Sequence, residues 1–138
     1  MKDIIPVLSK HHHTLTKLHV FIVNQDTSLL FIASFINLQE HVISSYNYNE
    51  LQHMIFPNLQ VFRILYISLF SNSKIFIKFL ENNGKNLTDL CINDYIKNNS
   101  LNLSIIQYRP NLKNLVITVL KNELDTLKNI QYLIVVNI

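Results

Sequence analysis

The chain has 138 residues, 49% of them hydrophobic, 15% charged and only one a glycine, with a formal net charge of +3. That length fits one domain with a buried core, and the composition argues against disorder. A single glycine excludes glycine-rich phosphate loops, and the small excess of scattered basic residues forms no basic arm of the kind that binds nucleic acid.

At the N-terminus, Pro6 and Lys10 break the apolar run of Ile4 and Ile5, so no signal-peptide pattern forms. His11, His12 and His13 follow. Adjacent side chains diverge, so at most His11 and His13 could chelate, and zinc would still lack ligands. A solvated loop is expected there, with neither a metal nor a cofactor. The most apolar segment, Ser28 to Leu38, is too short to span a bilayer, so no membrane contact is expected. The lone Cys91 forms no internal disulfide and suggests a reducing compartment, cytoplasmic or nuclear.

From residue 14 onward one phrase recurs: Asn, an apolar residue, two variable positions, an apolar residue, one variable position, an apolar residue. It runs through Thr14-Leu15, Leu18 and Val20, then more weakly through Asn37-Leu38, His41 and Ile43. It returns at Asn58-Leu59, Phe62 and Ile64; at Asn86-Leu87, Leu90 and Ile92; and at Asn111-Leu112, Leu115 and Ile117. The last copy is Asn129-Ile130, Leu133 and Val135. The first residues lie at 14, 37, 58, 86, 111 and 129, giving spacings of 23, 21, 28, 25 and 18. All but the last fall in the leucine-rich-repeat window of roughly 20–29 residues.

Between copies the period changes to that of a helix. Leu51, Met54 and Ile55 share a face, as do Phe76, Phe79 and Leu80; Leu101, Ser104, Ile105 and Tyr108 trace a third, and Leu124 and Leu127 begin a fourth. Ser71 or Ser73, Ser100 and Asn122 are start signals, while Pro57, Gly84 and Pro110 are stops. Glu81 is expected to pair with Lys78 or Lys85. The predicted fold is therefore α/β: a curved, right-handed leucine-rich-repeat solenoid of about six degenerate repeats. Parallel short strands line its concave face and helices its convex face. Residues 1–138 form a single domain, truncated at one or both ends. The position three residues after each third apolar residue, where such repeats carry Asn or Cys, holds Val23, Tyr46, Ile67, Tyr95 and Leu120, so no asparagine ladder is expected.

The phrases KFLENNGKNLTDL, IIQYRPNLKNLVI and NELDTLKNIQYL resemble the repeat region of F-box-type leucine-rich-repeat proteins, including large fungal paralogous sets. The resemblance runs from Ile5 to Leu133 and implies a protein-binding role like that of the substrate-reading repeats of an F-box ubiquitin-ligase adaptor. No segment corresponds to the F-box, so the ligase core is a partner only if an F-box is supplied elsewhere. Arg109 stands where that repeat class often has Cys, and the final spacing of 18 implies residues missing before Gln131. The alternative is a degenerate or fragmentary paralogue with no retained activity.

Strand alternation assigns the candidate protein-binding residues to the concave face: Lys17, His19 and Phe21; Glu40, Val42 and Ser44; Val61, Arg63 and Leu65. The strip continues with Asp89, Cys91 and Asn93, then Asn114, Val116 and Thr118. The target protein is unspecified. An enzymatic reading would need a histidine beside Cys91, and no orienting group or oxyanion site accompanies that pair, so the chain reads as a non-enzyme. The apolar C-terminal strand, Tyr132 to Ile138, has no polar cap and could pair with a second copy of the chain.

Overall fold

The computed structural model describes residues 4–24, 26–45, 47–65, 73–92, 111–117 and 132–135. Its strands are β1 (Lys17–Phe21), β2 (Glu40–Ser44), β3 (Val61–Ile64), β4 (Asp89–Ile92), β5 (Asn114–Ile117) and β6 (Tyr132–Val135). Together they form one six-stranded sheet in sequence order, every neighbouring pair parallel. The register follows the repeated phrase: Leu18, His41, Phe62, Leu90, Leu115 and Leu133 lie side by side, one repeat to the next. The protein is thus α/β with an all-parallel sheet. Two α-helices occur among the described residues, α1 (Ile4–Ser9) and α2 (Ser73–Asn83).

The core positions of the phrase are occupied as expected. Leu18, Ile43, Phe62, Ile64, Leu90, Ile92 and Leu115 are buried in one hydrophobic cluster, with Val20 packed against it. The leading apolar residues Leu38, Leu59, Leu87 and Leu112 join them. Alternation puts every second side chain of a strand on this face, and the parallel register stacks equivalent residues into rows.

The connections differ from the helical units expected. Between β1 and β2 lies a 3-10 helix at Leu30–Ser34, and between β2 and β3 another at Asn49–His53. Only the β3-to-β4 connection, which has the longest spacing, holds a true α-helix among the described residues. A 3-10 helix rises about 2.0 Å per residue against about 1.5 Å for an α-helix, so a short connection regains the strand's starting edge with fewer residues. Its period of three explains a further correction: Leu51 and Met54 are buried, but Ile55, expected on the same face, is 59% exposed. In α2 the helical period holds, with Ile75, Phe76, Phe79 and Leu80 buried and Phe79 stacked on Phe62 at a centroid distance of 4.3 Å. Lys78 pairs with Glu81 across one turn at 2.7 Å. The helix stops at Asn83, where Gly84 opens a short 3-10 turn, Gly84–Asn86. The helices expected at Leu101 to Tyr108 and from Leu124, the signals Ser71, Ser100, Pro110 and Asn122, and residues 136–138 lie outside the described residues.

An asparagine ladder does exist, at the opposite end of the strands from the position where such repeats usually carry one. The Nδ2 of Asn37 donates to His13 O (2.6 Å), Asn58 to Ile36 O (3.5 Å), Asn86 to Pro57 O (2.7 Å) and Asn111 to Lys85 O (2.9 Å). Each acceptor is the residue just before the first residue of the preceding repeat. Beside this ladder, the carbonyls of Thr16, Gln39, Gln60 and Thr88 each accept two backbone N–H groups from the next repeat. The corners that lead into β2, β3, β4 and β5 are thereby each tied to the corner before.

A second polar staple fixes α2. Asn83, 4% exposed, accepts from Phe56 N–H (2.6 Å) and donates to Met54 O and Phe79 O, both at 2.9 Å. On the preceding connection, the Glu50 carboxylate accepts from Ser28 Oγ (2.9 Å) and from Leu29 N–H, fixing the start of the first 3-10 helix.

His41 occupies a core position in register with its neighbours, fully buried between Leu18 of β1 and Phe62 of β3. Its Nδ1 donates to Leu18 O at 3.0 Å, which fixes the tautomer, and its Nε2 has no partner. Phe56 and Phe62 flank the ring at 6.0 and 5.9 Å. Burial holds the imidazole pKa down to about 4 against an ordinary 6.5, the Leu18 hydrogen bond opposing the shift.

Two outcomes are expected. Asn83→Leu orphans the buried Phe56 N–H and Met54 carbonyl and should lower stability by about 2–4 kcal/mol, whereas Asn86→Ala at an exposed rung should cost about 1 kcal/mol. Urea denaturation of the two variants reads the difference; equal losses would contradict these roles. For His41, the unfolded chain binds a proton that the folded chain refuses. Stability should therefore be unaffected above the ordinary pKa of 6.5 and fall as pH drops towards the folded pKa of about 4. His41→Leu should flatten that part of the pH–stability curve measured by thermal melting.

Candidate functional site

The sheet face opposite the core carries two ordered rows, set by register alone. The first runs Lys17, Glu40, Val61, Asp89 and Asn114; the second runs His19, Val42, Arg63, Cys91 and Val116. Phe21 and Ser44 are paired at the next position, with Leu65 following β3. The expected strip is thus assembled on one face, apart from Asn93 and Thr118, which lie outside the described residues. One member needs correction: Val42, expected on an open strip, is only 7% exposed. It does not belong to the core cluster, and it lies in register between His19 and Arg63, two long side chains of adjacent strands.

At the β1–β2 end the charges are already paired. Glu40 accepts from His19 Nε2 at 2.9 Å and lies 3.3 Å from Lys17 Nζ. Hydrogen bonding from His19 first, then from Lys17, holds the Glu40 carboxyl below its usual range. Lys17 and His19 are both largely exposed, so water screens these contacts and they contribute little to stability.

Arg63, Leu65, Asp89, Cys91, Asn114 and Val116 line a shallow depression of about 450 Å³ across β3, β4 and β5. Asp89 accepts from Thr88 Oγ1 at 2.9 Å and from Asn114 Nδ2. Arg63 is exposed and makes no ion pair among the described residues. The half-buried Cys91 thiol is pushed up in pKa by burial, with the nearby Arg63 charge acting against the shift. His19 stands three strands away from Cys91, roughly 14 Å across a sheet with strands about 4.8 Å apart, and its ring is engaged by Glu40. The histidine and the thiol are therefore not brought together.

Alternation did not reveal a second depression of about 890 Å³ beside β1, lined by Ile5, Phe21, Val23 and Phe31 with the polar Asn24, Asp26, Thr27 and Ser28. Phe21 is 60% and Val23 80% exposed, with Ile4 and Val7 of α1 also open. Its one sequence signal is the outward assignment of Phe21 in β1 by strand alternation. The triple histidine lies in the turn after α1, where His12 Nδ1 donates to Ser9 O at 2.7 Å and the ring packs on His13. Among the described residues no group of three or more His, Cys, Asp or Glu side chains is arranged to hold a metal ion, and no helix is long and apolar enough to cross a membrane.

Compared with protein-family models, curated proteins and solved structures, the chain matches none.

The chemical consequence for Cys91 is direct. With its thiol pKa raised, less thiolate is present at pH 8 than for a free cysteine, so alkylation by iodoacetamide should be slower than that of a model thiol. Removing the opposing charge with Arg63→Ala should slow it further, as read by mass spectrometry; faster alkylation in that variant would contradict the electrostatic account.

Proposed function

We propose that the chain is a recognition module of the leucine-rich-repeat type, binding a target protein through the strand face opposite its core. The observation that carries this reading is the coincidence of two periodic features in one register. The asparagine rungs recur at the starts of the four repeats that hold β2 to β5, and the strand-face residues of consecutive repeats fall into straight rows. Repeating units stacked in one dimension build extended recognition surfaces in this way. The mixture of paired charges at Lys17 and Glu40, an open cation at Arg63 and half-buried apolar residues such as Val61 and Val116 suits a protein surface better than a small substrate.

The role is binding without chemical turnover. By its resemblance to F-box repeat proteins, the module would read the target and leave any recruitment of a ubiquitin-ligase core to an F-box supplied elsewhere. The test is site-specific photocrosslinking in cells, with the crosslinker placed in turn at Val61, Asn114 and the exposed Lys85. Adducts to a common protein from Val61 and Asn114, with none from Lys85, are expected. Adducts equally distributed over the three positions would sink the reading.

A further inference from the structure

On the recognition face, Arg63 and Asp89 carry opposite charges on neighbouring strands, two residues apart in register, yet do not pair. Val61 lies beside Asp89 and Arg63 beside Cys91, so the two charged side chains sit on a diagonal of the sheet. Both line the same depression. Asp89 accepts only neutral donors, Thr88 Oγ1 and Asn114 Nδ2, so its charge is uncompensated by any cation among the described residues. Arg63 is exposed and likewise without a counter-charge there. This contrasts with the other end of the face, where Glu40 engages both Lys17 and His19.

Resting on the recognition reading above, we infer that this depression binds an extended peptide segment of the target presenting a carboxylate to Arg63 and a cation to Asp89. Three features set that occupant. The planar guanidinium of Arg63 takes a carboxylate through two parallel N–H···O bonds. The Asp89 oxygens keep lone pairs beyond those used by Thr88 and Asn114. Side chains two residues apart on an extended chain project from the same face about 7 Å from one another, a separation suited to a diagonal of two sheet residues. Around the charges, Leu65, Cys91 and Val116 offer half-buried, weakly polar surface. A peptide laid over it excludes water from both ion pairs, which strengthens contacts that would be weak on an open surface. A small anion would satisfy Arg63 and leave Asp89 facing it with a repelling charge, so charge complementarity favours a segment bearing both signs.

The experiment is selection of a phage-displayed random heptapeptide library on the immobilised full chain, followed by fluorescence anisotropy with the selected peptides. Enriched peptides should carry Asp or Glu two positions from Lys or Arg. Arg63→Glu should weaken them by about tenfold or more, and exchanging the peptide's acidic residue for Lys should restore binding to that variant. Asp89→Asn, which keeps the side-chain shape, should weaken the same peptides by several-fold and abolish the preference for the basic position. Peptides insensitive to both variants but lost with Phe21→Ala would overturn this inference while leaving the recognition face intact. Inorganic phosphate displacing the peptides at equimolar concentration would overturn it in favour of a small-anion site. Recovery of no peptide above background would count against both the inference and the recognition reading.

Discussion

Parallel strands in sequence order impose one constraint on everything else: after each strand the chain must travel back to the same edge before it can pair again. Each return ends in a corner, and in the described ones the carbonyl just before the repeated phrase accepts its side-chain bond from the next repeat. Those carbonyls belong to exposed residues that water can also satisfy, so a protein donor there fixes position more than it relieves burial. Here the donor is the side chain of the following repeat's first asparagine, reaching back to His13, Ile36, Pro57 and Lys85 in turn. The rung fixes where each strand begins relative to its neighbour. Because side chains alternate, that starting point also decides which residues enter the core and which face outward.

The corner bonds and the core thus support one another, and α2 shows how. The helix buries Phe76 and Phe79, aromatic side chains worth about 2–3 kcal/mol each on burial, but only if its C-terminal end is held against the Met54–Phe56 corner. Asn83 holds it there with three hydrogen bonds, all from one buried side chain. Among the buried side-chain groups of the described residues, His41 is the exception. Its ring fills a core position between aromatic neighbours, its Nδ1 is bonded, and its Nε2 is not. The core gains packing there at the cost of a buried acceptor that water would otherwise satisfy.

On the other face, the same register produces a surface whose two ends differ in electrostatic character. Around Glu40 the charges neutralise one another, and around Arg63 and Asp89 they do not, although the residue types are similar. Lys17 is directly beside Glu40 and His19 on its diagonal, and both reach it, whereas Arg63, on the same diagonal of Asp89, does not. Cys91, in register with Arg63 and two residues along β4 from Asp89, is half-buried and lies three strands from His19.

Much of this was legible in the residues themselves. The repeated phrase located the strands, their mutual register and their core side, because period-two alternation is a local property of each strand and needs no knowledge of its neighbours. The helical period at Phe76, Phe79 and Leu80 was legible for the same reason, and Gly84 marked its end. What the phrase could not supply was anything that depends on what the adjacent repeat presents. The shorter connections became 3-10 helices because of the distance they must cover, which left Ile55 outside although its spacing suited an α-helix. The ladder was invisible because an asparagine's partner is a carbonyl in the preceding repeat, more than twenty residues back. Val42 lies buried, and Arg63 and Asp89 converge unpaired, only once strands are set about 4.8 Å apart in one order. The sequence alone determined which residues form the strands and which way they face; the tertiary structure decided which of those residues meet, because meeting is a relation between repeats and not a property of any one of them.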